Sequence, residues 1–219
     1  MNIKGAGTIH FKNWGNSYIP HILRELYLDS IYKPYLDGKK DLTIFDLGGN
    51  IGLFSMYASQ FAKEIFTFEP SKETFELLQK NIRENGFDNV RLYQKAIHTE
   101  DEKIKFYHNS NTTMNSTMEV VEDKSQEVEE VEGIRLDTFI KQEKIEKIDF
   151  MKMDLEGVEN EIIGSKSFEN IVPILDAMVV ELHSWGGYNY QQTVTTLRDY
   201  GFQIVTIPSE ATILGARKL

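Results

Sequence analysis

The sequence predicts an α/β fold in which helices cover a mostly parallel sheet that ends in a β-hairpin. The first observation is that short apolar runs alternate with stretches of helical periodicity from Leu42 onward, as in repeated β-α units. The second is a glycine-rich turn, residues 48–52, between the first apolar run and the first helical stretch. The third is a pair of apolar runs, 202–207 and 212–216, joined by a Pro-Ser-Glu turn at 208–210, which predicts the hairpin.

The remaining elements follow from periodicity and from turn residues along the chain. Strands are predicted at 42–47, 65–69, 90–95, 103–107, 148–154, 177–182, 202–207 and 212–216. Helices are predicted at 51–62, 71–85, 158–164 and 189–200. The helix at 71–85 has the clearest boundaries, because Ser71 is a favourable N-cap and Gly86 is a favourable residue to end it.

The composition suits one large α/β domain, or one domain with a small addition. The chain has 219 residues, of which 41% are hydrophobic and 26% charged, so a sizeable core can form. The net charge is −10 and the longest basic cluster is Lys39-Lys40, so a nucleic acid is not expected as a partner. The absence of cysteine excludes a disulfide framework, a thiolate nucleophile and a cysteine-ligated zinc site.

There is no apolar signal region and no apolar stretch of membrane-spanning length, so we expect a cytoplasmic protein that does not contact a membrane.

Residues 1–40 differ in composition from the rest, and we expect them to form a helical, aromatic appendage or lid on a main domain of residues 41–219. A helix is predicted at 21–32. Its aromatic side chains either line a substrate pocket or anchor the appendage to the core. The tryptophan and tyrosine residues of this segment are Trp14, Tyr18, Tyr27, Tyr32 and Tyr35.

The segment 109–133 has an unusual composition. It begins with a polar, turn-prone stretch at 109–117 and continues with acids around valines at 119–132. The favoured interpretation is a mobile surface loop followed by an edge strand. A loop that faces the substrate is the alternative. The strand at 119–131 is either a covered edge or the contact of a homodimer.

The glycine-rich turn predicts a ligand site at the carboxyl edge of the sheet. Gly48, Gly49 and Gly52 let the backbone turn sharply and approach a ligand closely, because they have no Cβ. Glu69 ends the next predicted strand, where a carboxylate can accept hydrogen bonds from a ribose diol. A structural turn that binds nothing is the plain alternative.

The residues around the turn favour S-adenosylmethionine as the ligand. The turn has no following lysine of the P-loop type, which argues against a triphosphate. Adjacent glycines followed by Asn50 depart from the dinucleotide pattern G-x-G-x-x-G, and NAD is the second candidate. Asp46, at the end of the first strand, suits a ligand with an ammonium group and disfavours a pyrophosphate.

A second cluster of polar residues follows two later strands at the same edge. Asp154, Glu156 and Glu159 follow one predicted strand, and Glu181 and His183 end the next. Such a set can take a proton from a hydroxyl or amine, or hold a divalent cation. Structural roles are also open, because Asp154 and Glu159 suit a helix N-terminus and His183 can cap a strand end.

Five segments share an order and a spacing that point to one family. They are DLGGNIG at 46–52, FEP at 68–70, LDT at 136–138, KMDLEGVE at 152–159 and ELH at 181–183. In these motifs the chain, over about residues 42–207, resembles the FkbM family of S-adenosylmethionine-dependent methyltransferases. The element at 152–159 is the most specific, whereas the glycine turn alone indicates only a Rossmann-like methyltransferase. Gly49 stands where alanine is more usual in the family.

The resemblance implies a Rossmann-like, seven-stranded methyltransferase fold with the strand order 3-2-1-4-5-7-6. It also implies that the glycine turn holds the methionine part of the cofactor, that the acid after the second strand holds the ribose, and that the backbone near Ala96 borders the adenine. Asp154 is implied to lie near the transferred methyl. The cofactor-binding residues expected on this basis are Asp46, Gly48, Gly49, Asn50, Gly52, Glu69, Pro70, Ala96, Ile97 and Asp154.

Since the family is associated with O-methylation of sugars and other secondary metabolites, we expect an O-methyltransferase that acts on a small molecule. His183 is the predicted base, helped by Asp154 or Glu156, although the proton can also leave unaided after the transfer. No metal is required by this scheme. The other hypotheses are an RNA or protein methyltransferase, a cofactor-binding homologue without catalysis, and an NAD-dependent oxidoreductase.

Overall fold

The structure, a computed structural model, describes residues 31–108, 127–183, 190–206 and 213–218, together with Thr8, His10, Arg24 and Leu26. In these ranges the strands are β1 Leu42–Leu47, β2 Ala62–Phe68, β3 Val90–Tyr93, β4 Ala96–Ile97, β5 Lys103–His108, β6 Glu127–Ile134, β7 Phe150–Met153, β8 Ala177–Glu181, β9 Phe202–Thr206 and β10 Ile213–Lys218. The α-helices are α1 Lys33–Leu36, α2 Leu53–Ala58, α3 Lys72–Glu84, α4 Leu136–Glu143, α5 Glu159–Ile163, α6 Lys166–Ile171 and α7 Tyr190–Asp199. A short 3-10 helix, Val172–Ile174, follows α6.

Seven of these strands form one sheet in the order β3-β2-β1-β7-β8-β10-β9. Numbered along the chain as members of this sheet, they lie in the order 3-2-1-4-5-7-6, so the predicted Rossmann-like order is confirmed. Neighbouring strands are parallel except at β10, which is antiparallel to both β8 and β9. The antiparallel pair β9–β10 is the predicted C-terminal hairpin, while its predicted turn at 208–210 lies outside the described residues.

The carboxyl ends of four strands meet at one edge of this sheet. Leu47 of β1 lies level with Phe68 of β2 and with Met153 of β7, and Met153 lies level with Val180 of β8. The direction in which strands are added reverses between β1 and β7. β2 and β3 lie on one side of β1, whereas β7 and the later strands of the sheet lie on the other side. Ligands bind at such a switch point in open α/β sheets.

Two apolar layers pack against the two faces of the sheet. On one face Phe45 of β1 lies against Phe139 of α4, with ring centroids 6.0 Å apart and nearly perpendicular. On the other face Phe54 of α2 lies against Phe150 of β7, with ring centroids 6.2 Å apart. Because β1 and β7 are buried on both sides, the loops that follow them start from fixed positions.

Several residues of the predicted appendage belong to the core, among them two of its tyrosines. Tyr32 and Tyr35 are buried, and their ring centroids lie 6.2 and 5.4 Å from that of Phe150. A Cβ on Gly215 of β10 would stand 1.9 Å from the Tyr35 hydroxyl oxygen, so this glycine allows the tyrosine to approach the sheet. These two tyrosines therefore act as anchors. Three further aromatic residues of the segment lie outside the described residues: Trp14, Tyr18 and Tyr27.

A three-stranded sheet, β4-β6-β5, is separate from the main sheet. Its central strand is β6, which is parallel to β4 and antiparallel to β5. Within the predicted edge strand at 119–131, the described residues 127–131 pair with β5 alone, and β4 pairs only with Gly133 and Ile134 beyond it. The predicted loop and the first part of the predicted strand, 109–126, lie outside the described residues. The homodimer contact stays a prediction.

The helices differ from expectation mainly in length and number. α2 is shorter than the predicted 51–62, and α1, α4 and α6 had not been predicted. Arg24 and Leu26 are helical, in agreement with the helix expected at 21–32. In the part of the chain that the structure describes, no helix has both the length and the apolar character needed to cross a bilayer.

Candidate active site

A cleft opens at the carboxyl edge of the sheet. Residues predicted from the sequence form much of its lining: Gly48, Asn50, Glu69, Pro70, Ala96, Ile97, Asp154 and Glu156. The other lining residues are Phe68, Thr74, Lys95, Phe106, Leu155 and Val158. The predicted site residues that do not line the cleft are Asp46, Gly49, Gly52 and His183.

The turn after β1 passes directly against the loop after β7. Gly48 has a φ of +83°, and a Cβ on it would stand 1.8 Å from the carbonyl oxygen of Asp154. Only glycine fits there, because any other residue would be strained and would overlap the backbone. Gly52 has a φ of +92°, and a Cβ on it would come within 2.7 Å of Leu78 Cδ1 in α3. Gly52 thus lets the start of α2 pack closely against α3.

Glu69, directly after β2, joins the two loops that form one wall of the cleft. Its Oε2 accepts the backbone N–H of Asn50 at 3.0 Å, and its Oε1 accepts that of Ser71 at 3.0 Å. Burial raises the pKa of Glu69 to about 7, although the two backbone N–H groups and Lys152 oppose this rise. Glu69 therefore titrates near neutral pH at the place where a ribose is expected.

Asp46 lies beneath the glycine turn and pairs with Lys152. Asp46 is fully buried, its Oδ2 accepts the Ser55 hydroxyl at 2.6 Å, and its Oδ1 lies 3.6 Å from Lys152 Nζ. Lys152 Nζ also donates to the Gly48 carbonyl at 2.9 Å and to Asp154 Oδ2 at 3.2 Å. The lysine thus ties the glycine turn of β1 to the end of β7.

The charges of this pair are set by burial and by their neighbours. Burial opposes the charge of Lys152, but Asp154 and Asp46 outweigh it and hold the pKa of Lys152 well above its ordinary value. Burial also raises the pKa of Asp46, against the opposing effects of Lys152 and Ser55. Sequence reasoning assigned no site role to Lys152. The sequence did contain an indication of such a role. Lys152 lies two residues before Asp154, so the alternation of a strand puts both side chains on one face.

His183, just after β8, stands at the centre of the second predicted cluster. Its Nδ1 lies 2.8 Å from Glu159 Oε1. Its Nε2 faces three other carboxylates, 3.5 Å from Glu156 Oε2, 3.8 Å from Asp154 Oδ1 and 3.9 Å from Glu181 Oε1. The structure thus brings together all five residues that the sequence placed at this edge.

Glu159 holds both the histidine ring and the loop before it. It is the buried first residue of α5. Its carboxylate accepts the backbone N–H of Leu155 at 2.9 Å and that of Gly157 at 3.1 Å. Glu159 also bonds Nδ1 of His183. It therefore has both the structural role predicted for it, at the start of a helix, and a place in the cluster around the histidine.

The cluster binds protons more tightly than the same side chains do in water. Burial lowers the pKa of His183, but Glu159, Asp154 and Glu156 outweigh burial and raise it to about 9. Burial raises the pKa of Glu156 to about 9, and the negative charge of Asp154 adds to the rise. The carboxylates therefore favour the protonated ring of His183 at neutral pH. His183, the predicted base, must therefore lose a proton before it can accept one.

Asp154 connects the two halves of the site. Its Oδ2 accepts from Lys152, while its Oδ1 faces His183. Among the described residues, Oδ1 has no hydrogen-bond partner, although it is shielded from solvent. Ligand atoms of Asp154, Glu159 and His183 lie within 4.8 Å of one another, a spacing compatible with a bound metal ion. The glycine turn and the histidine cluster therefore meet at one carboxylate.

The chain matches a protein-family model described as "Methyltransferase FkbM domain" over residues 46–204. This match covers more than half of the chain and includes the glycine turn, Glu69, the 152–159 motif and His183.

Curated relatives and solved structures agree with the match. Methyltransferase 1 of Beauveria bassiana is 26% identical over 209 residues, which cover 85% of this chain and 82% of that protein. Hexuronic acid methyltransferase AglP of Haloferax volcanii is 26% identical over 148 residues, which cover 68% of this chain and 59% of that protein.

An rRNA methylase from Streptococcus thermophilus superposes with a TM-score of 0.54 at 12% identity, with 87% of this chain and 93% of that chain covered. Precorrin-6y C5,15-methyltransferase from Geobacter metallireducens gives a TM-score of 0.50 at 15% identity, with 87% of each chain covered. At these identities the two structures share the fold with this chain.

Proposed function

The chain belongs to the FkbM methyltransferase family, and we propose that it transfers a methyl group from S-adenosylmethionine to a hydroxyl group of a small molecule such as a sugar. The observation that carries the proposal is the cleft, where the glycine turn and Glu69 stand beside a cluster of carboxylates around His183. The distant similarity to a hexuronic acid methyltransferase supports a sugar as the acceptor. When bound, S-adenosylmethionine supplies a methyl group that the sulfonium charge has already activated.

The residues along the cleft fit this cofactor. Gly48 leaves the turn without a side chain, so a ligand can lie against its backbone. Glu69 offers carboxylate oxygens to a ribose diol. Ala96, Ile97 and Phe106 supply an apolar wall of the kind that suits an adenine ring. These side chains bind and orient the cofactor in the proposed scheme.

Asp154 and Glu156 are proposed to orient the acceptor hydroxyl, because both line the cleft and carboxyl oxygens accept hydrogen bonds from hydroxyls. Alignment of the hydroxyl with the methyl group is the main contribution that the protein makes to such a transfer. His183 stands behind the two acids, and we keep it as the proposed final proton acceptor once its ring has lost a proton.

The charge of the cleft favours a neutral acceptor over a polyanion. Acids line the cleft and the chain has a net charge of −10, so an RNA backbone would be repelled. A protein acceptor and a non-catalytic homologue are the alternatives that the following experiment separates from a small-molecule enzyme.

The proposal is tested by incubating the protein with isotopically labelled S-adenosylmethionine and a panel of sugars and hydroxylated metabolites. We expect label in at least one neutral compound, and a loss in kcat of about a hundredfold or more for Asp154→Asn, the size of loss that misplacement of a reacting group causes. Glu146→Gln, which changes an exposed acid outside the cleft, is the matched control and should retain activity. Failure to bind the cofactor would overturn the proposal. Cofactor binding without transfer to any compound of the panel would favour a protein acceptor or the non-catalytic homologue over a small-molecule enzyme.

Cofactor affinity is expected to depend on pH through Glu69. The ionised carboxylate is the better acceptor for ribose hydroxyls, and its pKa is about 7, so affinity should fall by up to about tenfold for each pH unit below that value. The folded protein holds this proton more tightly than the unfolded chain does, so the contribution of Glu69 to stability becomes less favourable as the pH rises from 4.5 towards 7. Calorimetric titration with S-adenosylhomocysteine at several pH values measures the slope. Glu69→Gln should flatten it, and an unchanged slope would contradict the ribose assignment.

A further inference from the structure

We propose that Asn81 of α3 is a positioning residue for the glycine turn, and that the backbone of His10 fixes the Asn81 side chain in the orientation that the turn needs. Asn81 is not among the residues that line the cleft, so it acts on the cofactor through the turn. The inference deepens the proposed function and rests on it, because the proposed function places the cofactor against this turn.

The amide group of Asn81 joins two segments that are far apart in the chain. The side chain is fully buried. Its Nδ2 donates to the Ile51 carbonyl at 2.8 Å and to the His10 carbonyl at 3.0 Å. Its Oδ1 accepts the backbone N–H of His10 at 2.6 Å. An asparagine amide has two N–H donors, so one bond goes to each segment and the turn and the N-terminal chain share one side chain.

The carbonyl that Asn81 binds lies directly after a strained residue of the turn. Asn50 lines the cleft and has a φ of +48°, which is uncommon for a residue other than glycine. Such a conformation persists only where the surrounding structure holds it. Glu69 holds the N–H of Asn50 at 3.0 Å, and Asn81 holds the carbonyl of the next residue, Ile51. The two bonds fix the backbone on both sides of the strained residue.

The same helix also contacts the turn through apolar side chains. A Cβ on Gly52 would stand 2.7 Å from Leu78 Cδ1 and 3.5 Å from Ile82 Cδ1, and both residues are close to Asn81 along α3. Apolar contacts have no preferred direction, whereas a hydrogen bond does. Asn81 therefore fixes the direction of the Ile51 carbonyl, which the packing against Gly52 leaves undetermined.

A second asparagine on α3 repeats the contact with the N-terminal chain. Asn85 Oδ1 accepts the Thr8 N–H at 2.9 Å, and Asn85 Nδ2 donates to the Thr8 carbonyl at 2.7 Å. Four residues of a helix advance about 6.0 Å, and two residues of an extended chain advance about 6.6 Å. Asn81 and Asn85 are thus spaced to bind the backbones of two residues that are two apart, as Thr8 and His10 are.

This arrangement lets the N-terminal chain support cofactor binding without touching the cofactor. His10 occupies Oδ1 and one N–H of the Asn81 amide, so the other N–H stays directed at the Ile51 carbonyl. If His10 were released, the amide could rotate and the turn would lose a fixed support.

The test is calorimetric titration of the full chain with S-adenosylhomocysteine, at a temperature where every variant is folded. Asn81→Asp keeps the shape of the side chain but replaces both N–H donors by an oxygen. We expect at least about tenfold weaker binding, the effect of losing one hydrogen bond to a group that then has no donor. Asn85→Asp makes the same change at a residue whose described hydrogen bonds reach Thr8 and the Asn81 carbonyl. As the matched control it should bind within about twofold of the unaltered protein.

Unchanged affinity in Asn81→Asp would overturn the inference. An equal loss in Asn81→Asp and Asn85→Asp would also overturn it, because loosening of α3 would then explain both.

A second pair of variants carries the test if Asn81→Asp does not fold. Only proline lacks the backbone N–H that Asn81 accepts, so His10→Pro should bind about threefold or more weakly than His10→Ala. Equal affinity of these two variants would overturn the inference. Failure of the unaltered protein to bind S-adenosylhomocysteine would instead overturn the proposed function and the inference with it, whereas binding that no variant weakens overturns the inference alone.

Discussion

Replacement of Lys152 by methionine is expected to lower the free energy of unfolding by about 3–5 kcal/mol, the usual cost of leaving a buried charge without its partner. The Lys152 side chain is only 11% exposed, and its Nζ stands between Asp46 and Asp154. Methionine fills a similar space but carries no charge. Of the described side chains that contact the fully buried Asp46 carboxylate through a polar group, only the Ser55 hydroxyl would then remain. The change also removes the hydrogen bond to the Gly48 carbonyl. Urea-induced unfolding of the two proteins measures the difference.

Two further variants make this test specific. Lys152→Met combined with Asp46→Leu should recover part of the lost stability, because the fully buried carboxylate of Asp46 is then no longer left without its partner. Lys166→Met changes a lysine that is 69% exposed and should alter stability by less than about 0.5 kcal/mol. A loss below about 1 kcal/mol for Lys152→Met would mean that the lysine does not balance Asp46.

Gly48→Ala is expected to abolish detectable cofactor binding and to cost about 2–5 kcal/mol of stability. The left-handed φ of +83° costs a residue with a Cβ about 1–2 kcal/mol, and relief of a steric overlap costs about 1–3 kcal/mol more. The Cβ would stand 1.8 Å from the carbonyl oxygen of Asp154, so the glycine turn or the β7 loop must move. Both line the cleft, and calorimetry with S-adenosylhomocysteine together with thermal unfolding measures the two effects.

Gly38→Ala is the matched control for this change. Gly38 also has a positive φ, +75°, but nothing lies within 4 Å of the place where its Cβ would stand. We therefore expect a cost of only about 1 kcal/mol and unchanged cofactor affinity. Similar behaviour of the two alanine variants would show that backbone strain, and not the approach to Asp154, explains the glycine at 48.

Several strands and helices were predictable because local patterns determine them, whereas the strand order was implied by the family resemblance. Ser71 does act as the N-cap of α3, since its hydroxyl accepts the Thr74 backbone N–H, and Gly86 adopts the positive φ that follows a helix end. The same kind of signal was present at Ser165, which caps α6 through the Phe168 N–H. That helix is only six residues long, too short for periodicity to reveal it.

What could not be predicted depends on contacts between distant segments. β4 has two residues, so no alternation marks it, and its pairing with Gly133 and Ile134 at the end of β6 was not predicted. The pairing of Asp46 with Lys152 arises because the two residues stand level across β1 and β7, a register that local sequence does not contain. The sequence did predict that His183 and its acids meet at one edge. It could not specify that Glu159 bonds one ring nitrogen and thereby directs the other towards Asp154.

The position of β10 between β8 and β9 has a consequence for how this protein is made. Among the described strands, β9 joins the main sheet only through β10, although β10 comes later in the chain. During synthesis, α7 and β9 therefore emerge before β10, the strand that attaches β9 to the sheet. Until β10 pairs, the main sheet is incomplete and β8 is its open edge. Removal of Ile213–Lys218 would release β9 as well as β10 and expose β8, so a small truncation at this point should cause aggregation out of proportion to its length.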